Sequence, residues 1–212
     1  MDIDHLERPG NVVISRTPDE ETRKRLKAWA EAGTRNNTQL WMQISHAGRQ
    51  TQALVNPLYG ARGLELMEQG MAAHDVLQSL IDADEGRDSR QVHMIDAAGR
   101  IAAHTGSACV DWCGHLAGAG YSVAGNMLAG PQVVRATAAA YAAGAELVFA
   151  ERLIAALEAG EAAGGDKRGK QGAALVVHTT EEYPFLSLRV DDHEDPLAEL
   201  RRLHDKSLER YQ

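Results

Sequence analysis

The segment RIAAHTG, residues 100–106, ends on His104 and Thr105, where an extended run gives way to glycine. A threonine hydroxyl at a strand end, facing a cleft mouth, becomes a nucleophile once a base takes its proton. Its plainer use is a bond to neighbouring backbone. Asn126, in GNMLAGP, falls between a strand and a helix. Its amide and the N–H groups after it could hold an oxyanion or a carboxylate, or the asparagine could simply take up a turn with positive φ. The loop GGDKRG, residues 164–169, carries Asp166 and Arg168. Arg168 suits an anionic substrate, although loop charges are more often merely solvated. The spacing to a Lys-Ser/Thr pair that a phosphate loop requires is missing.

Two further clusters suggest metals. Asp191-Asp192-His193-Glu194-Asp195 sets hard oxygen donors beside an imidazole, which suits a divalent ion. Asp195-Pro196 is also how a helix begins, with acids favoured at its start. Cys109-x3-Cys113-x-His115 is half of a zinc site without a recognisable remaining ligand. The expectation is therefore no bound metal. Thr105, His104, Asn126 and Asp166 are the catalytic candidates, and Arg168, Asp192 and His193 the substrate-binding ones.

The elements that must position these residues follow from periodicity. Val12 to Ile14 reads as a short strand. Thr17-Pro18-Asp19-Glu20 supplies a cap, a first-turn proline and early acids for a helix ending at Gly33, and Leu40 to Ile44 reads as a buried strand. Helices are expected over 62–69 and 73–83, parted by Gly70, with Leu64, Met67, Val76, Leu77 and Leu80 as their apolar stripe. QVHMID and RIAAHTG, joined across Ala97 to Gly99, form a hairpin, and YSVAGN is a further strand. Helices over 131–143 and 146–160 follow, broken at Gly144. The strands AALVVHT and FLSLRVD come next, and then a closing helix from Pro196 with Leu197, Leu200, Leu203 and Leu208. This order describes an α+β layered domain. Strict βα alternation fails after residue 51, which opposes a barrel there, and no internal repeat is present.

Composition narrows the partners. The 212 residues suffice for one domain or one domain with a short appendage. The hydrophobic share of 44% and charged share of 25% are those of a folded protein in water. A formal charge of -8, with no Lys/Arg stripe, argues against nucleic acid. Without an apolar run near the length of a membrane span or an apolar N-terminal block, the expectation is a cytoplasmic protein that meets no membrane. Cys109 and Cys113, the two cysteines, are expected as free thiols. A small-molecule substrate is the remaining partner class, and an unpaired sheet edge would invite a second copy of the chain.

Two resemblances divide the chain. HLERPGNVVI, KAWAEAG and LWMQISHAGRQ, within residues 1–51, resemble the opening of the old yellow enzyme family of flavin-dependent ene-reductases. That resemblance implies a flavin ring bonded by Gln43, with His46 and Arg49 nearby and FMN as cofactor. A single strand cannot enclose a flavin, and the later barrel motifs are absent. TQALVNPLYGARGLELM, GRDSRQVHMIDAAGRIAAHTG, GYSVAGNMLAGP, GGDKRGKQGAAL and LRVDDHEDPLAELRRL, over residues 52–212, resemble a bacterial family catalogued as domain of unknown function 1028. This second resemblance implies a layered α/β/β/α sandwich similar to the N-terminal-nucleophile hydrolases, with residues 1–51 as a foreign strand-helix-strand segment and Thr51 as the seam.

Such hydrolases use a terminal Ser, Thr or Cys whose own amine is the base, and Met1 cannot serve. A cut before Thr51 would expose a threonine amine. The favoured reading is a hydrolase-like domain acting on a small amide-type bond. Its rivals are a catalytically dead binding or structural domain, favoured by the replaced N-terminus, and an FMN-binding ene-reductase fragment.

Overall fold

The computed structural model describes Asn56 and residues 58–180 and 183–209. The elements expected over 12–14, 19–33 and 40–44, together with Gln43, His46, Arg49 and Thr51, lie outside the described residues.

Among the described residues the fold is mixed α and β, with three antiparallel strand pairs. Helix α1 (Leu58–Glu68) begins four residues before the apolar stripe suggests, because the Asn56 side chain accepts the Leu58 N–H at 3.1 Å. Gly70 turns the chain with φ 92°, and α2 (Ala73–Asp82) follows. Its N-terminus has no side-chain cap of its own. Instead Asp96, buried beneath the turn of the first hairpin, accepts the Ala73 N–H at 3.1 Å while its other oxygen takes the Ala98 and Arg100 N–H groups. One carboxylate thus ties helix start to hairpin turn. Burial pushes Asp96 upward, but these bonds and the Arg100 guanidinium outweigh it and leave the carboxyl below its ordinary value.

Strands β1 (Gln91–Ile95) and β2 (Ile101–Thr105) pair so that Gln91 faces Thr105 and His93 faces Ala103. Period-two alternation gives the hairpin two unlike surfaces. Val92, Met94 and Ala102 pack on α1 and α2 around Tyr59, Val76, Leu77 and Leu80. Gln91, His93, Ala103 and Thr105 lie on the opposite surface and meet the second hairpin, β3 (Gly114–Gly118) with β4 (Tyr121–Gly125). The pairing of β3 with β4 sets His115 opposite Ala124 and Ala117 opposite Ser122. The far side of this hairpin meets α3 (Pro131–Ala143), where the Tyr121 and Tyr141 rings lie 4.7 Å apart. Strand β3 is absent from the sequence reading: its small residues, Gly114, Ala117 and Gly118, carry no β-branched signal.

Helix α4 (Phe149–Ala162) starts three residues later than expected and packs with β5 (Ala173–Val177), β6 (Leu186–Val190) and α5 (Pro196–Glu209) around Ile154, Leu175, Val177, Val190 and Leu200. On α5 the buried line is Pro196, Leu200 and His204, whereas Leu208 is exposed, so the leucine stripe is rotated from its expected face.

Asp84 closes the α2 end of the domain. Arg90 Nε at 2.8 Å, Asn56 Nδ2 at 3.2 Å, the Gly86 N–H at 2.8 Å and the Tyr59 hydroxyl at 2.9 Å all donate to it. The Arg90 guanidinium, aided by Asn56, holds its carboxyl well below the carboxylate range, while burial and the neighbouring Asp84 charge push Tyr59 up to about 12. The unfolded chain therefore binds a proton at Asp84 before the folded one does. Its contribution is complete above the unfolded value of about 4 and is lost as pH falls through the folded value. Asp84→Asn is expected to lower the urea midpoint at neutral pH, with the gap to wild type closing in acid. Urea titrations at a series of pH values check this, and a gap independent of pH would contradict it.

Candidate functional site

The polar groups between the two hairpins converge on Gln91. Its Nε2 lies 3.1 Å from Thr105 Oγ1, 3.0 Å from the Gly114 carbonyl and 2.9 Å from the Gly125 carbonyl. Its Oε1 accepts from Asn126 Nδ2 at 3.4 Å. One amide thereby ties the Thr105 end of the first hairpin to both strands of the second. Thr105 Oγ1 also lies 2.9 Å from His115 Nδ1, and Ser122 Oγ lies 2.9 Å from His93 Nδ1. These are two hydroxyl–imidazole pairs on facing surfaces. Burial, and after it the charge of His115, lowers the His93 pKa and favours its neutral imidazole. Yet the His93 and His115 residues retain exposed surface. His93 and His115 stand opposite Ala103 and Ala124 in their hairpins, so small neighbours leave both imidazoles within reach of water.

Backbone fixes the segment that follows Asn126. Met127, directly after Asn126, has φ 57°, a left-handed conformation rare outside glycine. The positive φ weighed for Asn126 thus belongs to its neighbour. Met127 and Leu128 donate to the Val110 and Trp112 carbonyls, and Leu128 bridges Asp166. Gly106, after Thr105, passes so close to the Asp88 carbonyl that an added Cβ would run into it. Gly106→Ala is expected to displace the Thr105 strand end and to destabilise the fold by about 1–3 kcal/mol. Urea unfolding measures this, and a wild-type midpoint would show that the contact relaxes freely.

Only some of the sequence candidates come together. Thr105 and Asn126 share the Gln91 network. His104 does not: it alternates to the helix-facing surface, where its Nε2 bonds the Arg87 carbonyl at 2.9 Å. Asp166 and Arg168 pair with each other through Arg168 Nε at 2.9 Å and Nη2 at 2.6 Å. Burial raises Asp166, but the Arg168 bonds prevail and its carboxyl is lowered. Their loop abuts the 127–129 segment, where the Lys167 N–H reaches the Met127 carbonyl. Asp192 accepts from Gln171 Nε2 at 3.1 Å, and His193 Nδ1 accepts the Asp195 N–H at 3.0 Å. Asp191 pairs with Arg189 and Asp195 with Lys170, so these residues serve local partners at the start of α5.

Cys109 and Cys113 are free thiols, the first buried. Burial, and after it the nearby Cys109 and Asp111, push the Cys113 thiol up. His115 turns to Thr105. Gln91, His93 and Ser122 are the site residues that the sequence reading leaves out, and polar residues alternating with Val92 and Met94 are the signal that marks the first two.

An α and β domain with small antiparallel sheets and a polar network between two hairpins is the class that these observations define. The chain belongs to a family of unknown function, DUF1028, whose model matches residues 37–200 and so runs across the seam read at Thr51. Among solved structures it is similar to protein SPO2555 from Silicibacter pomeroyi, described as DUF1028. The two are 34% identical over 74% of this chain and 67% of that one, with a TM-score of 0.67. No curated protein matches. No helix among the described residues is long and apolar enough to cross a membrane.

Proposed function

We propose that this domain is a hydrolase acting on a small amide-type bond, with Thr105 as nucleophile and His115 as the base that takes its proton. The supporting observation is the 2.9 Å contact between Thr105 Oγ1 and Nδ1 of the exposed His115. Gln91 Nε2, 3.1 Å from the same oxygen, shares its two hydrogens among that oxygen and the Gly114 and Gly125 carbonyls, and the share that reaches Thr105 favours the developing alkoxide. The Met127, Leu128 and Ala129 N–H groups are engaged by backbone carbonyls. The Asn126 amide, which gives one hydrogen to Gln91 and keeps a second, is therefore the candidate donor for a substrate oxyanion. Arg168, paired with Asp166, would meet an anionic substituent only by sharing that partner. This base is a side chain, so the scheme needs no N-terminal nucleophile. The packing order of α1 and α2, two hairpins and α3 supports a layered α/β/β/α arrangement similar to that of the N-terminal-nucleophile hydrolases.

The Gln91 bonds also favour a second reading, in which Thr105 is only a tie between hairpins. Screening small p-nitroanilides against the full chain and Thr105→Val separates the two. Turnover by the wild type that the variant lacks, with unfolding midpoints alike, supports the hydrolase. Equal turnover, or loss of stability alone, supports the tie.

A further inference from the structure

We infer that a second site, a divalent transition-metal site, lies where α4 meets α5, held by Glu151, His204 and Asp205. Glu151 stands in the first turn of α4, and His204 and Asp205 near the end of α5. His204 continues the line of Pro196 and Leu200 at four-residue spacing, so it occupies a core position that packing alone would fill with another apolar side chain. It is 2% exposed, and its Nδ1 is buried without a hydrogen-bond partner. That nitrogen lies 3.8 Å from Glu151 Oε1 and 3.6 Å from Asp205 Oδ1, too far for hydrogen bonds, and the three donor atoms all fall within 4.8 Å of one another.

A buried imidazole nitrogen aimed between two carboxylates at these distances has the form of a ligand set awaiting an ion. Contracting the triangle by a few tenths of an ångström brings the donors to the roughly 2.0–2.2 Å that zinc bonds to nitrogen and oxygen take. One imidazole with two carboxylates selects ions of zinc or manganese character over calcium, which prefers oxygen alone. Both carboxylates are partly open to solvent, at 35% and 62%, so water has access to complete the coordination. Among the described residues a competing cation is Arg201, whose Nη1 lies 3.9 Å from Glu151 Oε2. Its main bonds go to Glu158 at 2.6 and 2.8 Å, which leaves Glu151 Oε1 for the ion.

The test uses the full chain, stripped with a chelator and titrated with Zn2+ by calorimetry and thermal melting, and with Co2+ by absorbance. Saturable Zn2+ binding that raises the Tm is expected, with a Co2+ spectrum free of thiolate charge transfer. Glu151→Gln and Asp205→Asn, conservative changes at partly exposed positions, are each expected to weaken binding by more than about tenfold. Three results would overturn the assignment: no saturable binding by the wild type, variants that bind as tightly as wild type, or a thiolate band that places the ion on Cys109 and Cys113.

Discussion

Thr105→Val is expected to lower kcat/KM for any small amide that the domain turns over by about 10²–10⁴-fold. Valine keeps the β-branched shape suited to a strand end and removes the oxygen, so the backbone pairing with Gln91 is undisturbed. What goes is the group facing His115 Nδ1 at 2.9 Å. The substitution also takes one of three acceptors from Gln91 Nε2, but the Gly114 and Gly125 carbonyls remain, which limits the structural cost. Thr105→Ser restores the oxygen and is expected to recover most of the rate, while His115→Gln, which cannot take a proton, should resemble the valine variant. Steady-state kinetics beside urea midpoints separate chemistry from folding. Matched losses in rate and stability across the three variants would mean that the hydroxyl is only a structural tie.

The largest effect on stability is expected from Leu200→Ala. Leu200 has no exposed surface and belongs to the cluster of Ile154, Leu175, Val177 and Val190 that joins α4, β5, β6 and α5. Removing three carbons there forfeits their transfer free energy and leaves a cavity that close-packed neighbours only partly refill, at about 2–5 kcal/mol. For a domain whose whole stability is on the order of 5–15 kcal/mol, that is a large share. The urea midpoint should fall with little change in slope. Thr105 lies between the other two hairpins, so any activity at low temperature should persist while the protein stays folded. A loss below about 1 kcal/mol would mean that the site collapses to fill the space.

Much of this architecture is legible in the residues themselves. The first hairpin follows from its alternation and the glycine of its turn, and the β5–β6 pair from two apolar runs across a proline-bearing turn. The α5 helix follows from Asp195-Pro196. The grouping at the candidate site is less legible, because neighbouring residues in a strand point to opposite faces. His104 and Thr105 adjoin in sequence, yet one bonds the Arg87 carbonyl on the helix side and the other meets His115 of the second hairpin. The imidazole that reaches Thr105 comes from β3, a strand whose glycines and alanines hide it, and His115 there reads more readily as half of a zinc pattern. Long-range pairing of two hairpins is a tertiary fact that local periodicity does not encode. His204 eludes the reading for a related reason: a leucine-rich helix draws attention to its leucines, and the polar residue that fills a core position shows only when burial is known.

The most direct measurement is covalent capture. The full chain is treated with a small β-lactone, which acylates activated hydroxyls, and the modified residue is located by peptide mass mapping in wild type and in His115→Gln. The expected result is a single acyl adduct on Thr105, lost when His115 is replaced. An adduct on another residue, such as a newly exposed terminal Thr51, or equal labelling of Thr105 without His115, would contradict the assignment of Thr105 as nucleophile and His115 as its base.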